Sequence, residues 1–263
     1  MIHQHEHWFE SAGARLYGVE LGHGHPVVFL HGGLADHRSA LFRVGALAPA
    51  LRVLAPDLRG AGRSVTSGAL SWDQLADDVA AFLAHLGLER AVVGGTSMGS
   101  GVALRFALRH PRRTLGLLLV SPMHRGAELG LTPAQATALR VMDETGRAVL
   151  ERGVAALLPL YEALPPPIRE RAVEMARSFD AASVAATTRF LATTPQPFGA
   201  LRDLAAIAAP VLLVPGTDPE HPAEVAAEYA RHLPNAAVVD PASPELLATL
   251  ARFCAGLAVS SVP

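Results

Sequence analysis

Along this chain the apolar positions first alternate with polar ones and then run together. From Glu6 the stretch "EHWFESAGARLYGVEL" alternates with a period of two on either side of Gly13, which predicts two strands joined by a tight turn. After it the strand-like runs are almost continuously apolar: "PVVFLHG", "LRVLAPD", "RAVVGGT", "TLGLLLVS", "PVLLVPG" and "AAVVD". A strand covered on both faces reads this way, because no position along it meets water. Between the runs the spacing changes to that of helices, as from Ser71 to Leu86 and from Met98 to His110. Strand, helix, strand repetition predicts an α/β fold with a doubly covered, mostly parallel sheet and right-handed crossovers, and places ligand sites beyond the carboxyl ends of the strands.

That rhythm stops between 125 and 203. The patterns "TPAQATALRVMDETGRAVLERG", "PPPIRERAVEMARSF" and "DAASVAATTRFLATT" follow one another with no strand between them, which predicts a helical insertion. Thr132, Pro133 and Gln135 form a capping-box sequence at its start, and Asp180 stands where it can cap its last helix. The expected division is a core over 1–124, a helical lid over 125–203 and a second core segment over 204–263. The terminal "VSSVP" reads as a frayed tail.

Half of the 263 residues are apolar, enough for a large core. The formal net charge is −2, and all 22 basic residues are arginine, scattered along the chain, so the charge pattern points to neither nucleic acid nor an anionic membrane. A small neutral molecule is the expected partner. No apolar run reaches the roughly 20 residues that span a bilayer, and "MIHQHEHWFE" lacks the apolar stretch of a signal peptide, so a cytoplasmic location is expected. Cys254 is the single cysteine, placed in a helical pattern as a buried thiol. His3, His5 and His7 share one strand face with no cysteine or carboxylate cluster beside them, so they read as solvated residues, and no metal or organic cofactor is implied.

The chemistry concentrates at the strand ends. In "GGTSMGSG", residues 94–101, Gly95, Ser97 and Gly99 form G-x-S-x-G between an apolar strand and a helix beginning at Met98. A strand-to-helix turn this sharp holds the serine in strained backbone geometry, lifts its hydroxyl above the sheet and aims a helix N-terminus at developing negative charge. An earlier strand ends in "FLHGG", whose glycines let backbone approach a ligand closely. The amides of Gly33 and Met98 are therefore the expected oxyanion donors.

With these motifs the chain resembles the α/β-hydrolase family, in particular its lid-bearing esterase, lactonase and haloperoxidase-like branch. The resemblance rests on "HGG" at 31–33, "DLRGAGRS" at 57–64, "GGTSMGSGVALRFALRHP" at the serine turn and "PVLLVPGTDPEHP" at 210–222. It implies an eight-stranded, mostly parallel sheet with a helical lid inserted after strand six, and acyl transfer to water through a serine ester. Asp57 and Arg59 are expected to tie down a turn. In such enzymes the acid follows strand seven in a G-x-x-D-x-x-x-P context, which here points to Asp218, with Pro222 four residues on and Gly216 one residue closer than usual.

The resembling enzymes carry their base after the last strand, where this chain reads "NAAVVDPASPELLATL" and has no histidine, so a triad in the usual order is not expected. Three histidines on the same rim are the substitutes: His221 beside the acid, His124 in "SPMHRG" and His37 after the glycine pair. The helix following His221 disfavours its charged form. The expected pocket residues are His31, His37, Met123, Met142, Phe179 and Phe190, with Leu157, Leu158 and Met175 also on the lid. The sequence thus supports a hydrolase of a small ester, thioester or lactone with an apolar acyl part. It leaves open a degenerate relative that only binds a ligand, and lyase or cyclase chemistry on the same fold.

Overall fold

The computed structural model describes residues 3–66, 68–162, 164–194 and 196–259. The opening hairpin pairs β1 (Gln4–Ser11) with β2 (Ala14–Leu21), closing on the Ser11 to Ala14 pair. Ala12 and Gly13 take φ of 44° and 74° there, the left-handed pair that matches the twist of two strands joined by a two-residue loop. The remaining strands are β3 (His25–Leu30), β4 (Leu51–Pro56), β5 (Ala91–Thr96), β6 (Thr114–Val120), β7 (Val211–Val214) and β8 (Ala236–Val238). They form one eight-stranded sheet in the order β1-β2-β4-β3-β5-β6-β7-β8. β2 is antiparallel to both of its neighbours, and from β4 to β8 the pairing is parallel.

From β3 to β7 both faces of the sheet are covered, as the continuous apolar runs require, whereas β8 at the edge is not, with Val238 51% exposed. Val28 and Leu30 face a core with α2 (Trp72–His85), α3 (Met98–Arg109) and α8 (Ala223–His232). Val27 and Phe29 face the opposite core with α1 (His37–Val44) and α9 (Leu246–Val259), where Cys254 is buried and burial pushes its thiol up to about 12. Neighbours on a strand point to opposite faces, so one run of four apolar residues serves two cores. Most of the "VSSVP" tail lies outside the described residues. Among those residues no helix is long and apolar enough to cross a membrane.

Between β6 and β7 lie α4 (Pro133–Arg152), α5 (Leu158–Tyr161), α6 (Pro166–Ala176) and α7 (Ala181–Thr193). Thr132 and Gln135 make both bonds of a capping box at the start of α4, and Asp180 accepts from the Ser183 amide at the start of α7. The four helices share a small core of their own that includes Val149, Leu157, Tyr161 and Val184. They also bond to the loops that leave the carboxyl ends of β3 and β4: Thr187 Oγ1 donates to the Gly60 carbonyl at 3.0 Å, Ser183 Oγ to the Thr66 carbonyl at 3.1 Å, and Tyr161 to the Leu34 carbonyl at 3.3 Å. α4 and α7 lie close because Gly146 leaves room for the Thr188 side chain, which would collide with any Cβ there. Gly146→Val is therefore expected to destabilise the fold by about 1–3 kcal/mol, read from the urea midpoint.

Two expectations about the 57–64 turn resolve differently. Asp57 holds the turn, accepting from the Arg63 amide at 2.7 Å, and it also takes the backbone and ring nitrogens of His37, each at 2.8 Å. Arg59 reaches away from the turn, pairing with Asp78 of α2 and donating to the Ser11 carbonyl, so it fastens helix to hairpin. Asp36, His37 and Asp57 converge closely enough to suggest a metal cluster. Their oxygens are already taken by Arg38, by the Arg63 amide and by His37 itself, which makes the group an internal hydrogen-bonded knot.

Candidate active site

Ser97 sits between β5 and α3 with φ 54° and ψ −116°, outside the regions that side-chain-bearing residues ordinarily occupy. Such strain costs on the order of 1–3 kcal/mol and persists because the surroundings overdetermine it. The flanking glycines are required by close approach: a Cβ on Gly95 would collide with the Gly99 backbone, and one on Gly99 with the carbonyls of Leu30 and His31. The Ser97 carbonyl starts α3, accepting from the Ser100 amide at 2.9 Å and from the Ser100 hydroxyl at 2.6 Å.

The Ser97 hydroxyl meets one imidazole. His221 Nε2 lies 2.8 Å from Ser97 Oγ, and His221 Nδ1 lies 2.9 and 3.1 Å from the two carboxylate oxygens of Asp218. Serine, acid and histidine thus occur in the order Ser97, Asp218, His221 along the chain, which corrects the expectation that this order is broken. What differs is the seat of the histidine: both groups belong to one turn after β7, closed by the His221 amide on the Asp218 carbonyl at 3.1 Å. Asp218 Oδ1 also accepts from the Glu220 and His221 amides at 2.9 Å each. Partial burial pushes the Asp218 carboxyl up, but the adjacent His221 and the two amides outweigh this and hold it below its usual value. With its side chain 55% exposed the carboxylate is open to water, whereas that of His221 is 17% exposed.

The turn is packed against its own strand. A Cβ on Gly216 would collide with the carbonyl and Cβ of His221, so only glycine lets the chain fold back this far. Gly216→Ala is therefore expected to displace His221 from Ser97 and to slow labelling of Ser97 by a fluorophosphonate by on the order of a hundredfold. This contact is only faintly marked in the sequence. A glycine two residues after an apolar strand and five before a histidine is the signal it left.

The other two candidate bases are elsewhere. The His37 ring nitrogen is bound to Asp57, and the ring packs on Tyr17 at 5.3 Å between centroids. His124 is wholly buried, edge-on to Trp72 at 5.0 Å, with Nδ1 lacking any partner among the described residues. Burial first, and the nearby His221 second, push its pKa down to about 3, so it is neutral around pH 7.

The remaining pocket residues divide. His31, Gly32, Gly33, Met98 and Phe179 line a narrow cleft of about 20 Å³, little more than one water, together with Leu58 and Val184. A Cβ on Gly32 would lie 3.6 Å from Ser97 Cβ, so the 31–33 turn passes directly beside the serine. Neither Gly33 N–H nor Met98 N–H donates to another group of the protein among the described residues. The Met123 sulfur lies 3.6 Å from Ser97 Oγ, and the Met142 methyl reaches toward Gly33. His31 is fixed by the Leu58 amide, which donates to Nε2 at 3.0 Å. Phe190 is corrected: it packs on Trp72 in the core and does not line the cleft, because its face of α7 turns toward α2. His37 is likewise outside the cleft. Leu157 belongs to the core of the insertion, and Met175 faces a groove between α1 and α6.

A sheet of this order, a strained serine between β5 and α3, and a histidine and carboxylate after β7 define a class of fold. The chain belongs to the alpha/beta hydrolase fold family, whose model matches residues 25–163. That match ends before Asp218 and His221, so their assignment stands on geometry. Among curated proteins the chain is similar to an AB hydrolase superfamily protein of Bacillus subtilis (strain 168), 37% identical over 97 residues, 36% of each chain. It is also similar to a probable proline iminopeptidase of Streptomyces coelicolor, 31% identical over 196 residues, 66% of this chain and 59% of the other. These matches span between about a third and three fifths of the relatives' own length. Among solved structures a thermophilic esterase from Thermogutta terrifontis superposes with a TM-score of 0.77 at 24% identity, covering 96% of this chain and 99% of that one, a likeness of fold.

Proposed function

We propose that the protein is a serine hydrolase of a small ester, thioester or lactone with an apolar acyl part, with Ser97 as nucleophile, His221 as base and Asp218 as the carboxylate that orients it. The observation carrying this reading is the unbroken hydrogen-bonded line from Asp218 through His221 to Ser97 Oγ. In the reaction, His221 Nε2 takes the Ser97 proton as Oγ attacks the acyl carbon. The amides of Gly33 and Met98 receive the developing oxyanion. Collapse of the intermediate expels the alcohol or thiol, which takes the proton back from His221, and leaves an ester on Ser97. Water, deprotonated by the same imidazole, then releases the acid and restores the serine.

The apolar side chains of Met98, Phe179, Leu58 and Val184 around the cleft favour an apolar acyl group. Asp180, the carboxylate at its rim, is engaged in capping α7, which weighs against recognition of a substrate ammonium. On this reading α4–α7 act as a lid, because the cleft beside the serine is too small for a substrate until they yield. A binding-only protein needs no base on its serine, so the 2.8 Å contact favours turnover. Scattered arginines and the single buried Cys254 fit a cytoplasmic enzyme with a small-molecule substrate, without nucleic acid or membrane.

The test is to incubate the protein with a fluorophosphonate and identify the labelled residue by mass spectrometry, alongside turnover of short-chain chromogenic esters. One label on Ser97 and turnover lost with Ser97→Ala are expected. Turnover that survives Ser97→Ala would eliminate the serine mechanism.

A further inference from the structure

Gln135 is wholly buried, although it sits in the first turn of α4, a helix of the insertion. Its side-chain oxygen accepts from the Thr132 amide at 3.0 Å, as a capping box requires. Its side-chain nitrogen is committed elsewhere. It donates to the Met123 carbonyl at 2.8 Å and to the Glu220 carbonyl at 2.9 Å, so both of its hydrogens leave the helix and bridge two separate loops. Met123 belongs to the loop after β6, and its sulfur lies 3.6 Å from Ser97 Oγ. Glu220 lies between Asp218 and His221, in a turn whose other hydrogen bonds from Asp218 are internal to it. Residues 217–220 are exposed. The turn that sets the acid and the base therefore rests, on its insertion side, on the amide of Gln135.

We propose that Gln135 is a positioning residue for the hydrolytic site, its amide locking the Asp218–His221 turn to the Met123 loop and to α4. The proposal rests on the reading of Ser97 and His221 as nucleophile and base. Capping alone would need only the side-chain oxygen. The two outward donors, buried and aimed at carbonyls of the two loops whose Met123 and His221 side chains reach Ser97 Oγ, are what a clamp needs. A glutamine fits because its oxygen engages the helix while both hydrogens of its nitrogen reach outward. The clamp also links α4 to the reaction: the insertion cannot shift at that end without releasing the Glu220 carbonyl.

The experiment compares Gln135→Leu and Gln135→Glu with Thr132→Ala in the full chain. Leucine removes the donors. Glutamate keeps the acceptor for the Thr132 amide but, as a carboxylate, cannot donate, and it serves if the leucine variant fails to fold. Thr132→Ala weakens the same cap without touching the clamp. For both Gln135 variants kcat for short-chain esters is expected to fall about ten- to a hundredfold, with KM within about twofold. Deuterium exchange of the peptide spanning 216–226 is expected to speed up, because a turn released from Gln135 opens more often and frees the Glu220 and His221 amides from Asp218. Thr132→Ala should show neither change. Unaltered kcat and exchange in the Gln135 variants, or equal losses in Thr132→Ala, would overturn the proposal. The exchange measurement separates the two readings: if turnover survives Ser97→Ala the serine mechanism falls, and exchange alone still decides whether Gln135 holds the turn.

Discussion

Replacing His221 with alanine is expected to lower kcat/KM for short-chain esters by on the order of a thousandfold or more, because the Ser97 hydroxyl then has no base within reach. His124→Ala and His37→Ala should leave a folded protein within about tenfold of wild type, since neither ring lies on the serine and general-base effects begin near a hundredfold. Asp218→Asn should fall between these limits. Its carboxylate is more than half exposed, so water screens part of the support it gives the imidazolium, while the two amides it accepts still fix the turn. Steady-state kinetics of the four variants, with fluorophosphonate labelling rates, check the ordering. A His221→Ala protein with near-normal turnover would remove this imidazole from the mechanism.

The second large effect is on acid stability and centres on His124. Burial depresses its pKa from the ordinary 6.5 to about 3, so the folded protein holds it neutral while the unfolded chain takes up a proton below about 6.5. In that window the unfolded state binds more protons, and stability therefore rises with pH. The His124 contribution is complete above about pH 6.5 and is lost progressively as the pH falls toward 3. At full difference it amounts to on the order of a few kcal/mol. Urea midpoints of wild type should thus drop steeply from pH 7 to pH 4.5, and those of His124→Gln, which cannot titrate, should drop less. His31 is also wholly buried and depressed, chiefly by desolvation against the opposing pull of Asp57, so some slope will remain. Parallel slopes for the two proteins would show that His124 is not held neutral.

The fold was legible because its determinants are local: apolar runs with glycine-bearing ends set the strands, and Thr132 and Asp180 mark helix starts by their own side chains. Ser97 could be singled out for the same reason, since the glycines at 95 and 99 are dictated by a turn only a few residues wide. The base could not be chosen from sequence. Whether His221 folds back depends on Gly216 leaving space and on Asp218 bonding two amides ahead of it, neither of which has a periodic signature. His37 was drawn away by Asp57, twenty residues along the chain, and Phe190 by Trp72, far more distant still. Contacts across such separations are decided by packing, to which hydrophobic pattern is blind. Gln135 announced its cap but not its clamp, for the same reason.

Because Asp218 and His221 are three residues apart, bringing them together closes a very short loop and carries little of the chain-entropy cost of joining distant segments. The Asp218–His221 pair is in this sense a local unit, bounded by Gly216 and Pro222 and tied to the insertion by Gln135, while the described residues after it supply α8, β8 and α9. Grafting "GTDPEHP" after the seventh strand of another protein of this fold, together with a glutamine placed as Gln135 is, would carry both groups at once and leave its final loop free of a histidine.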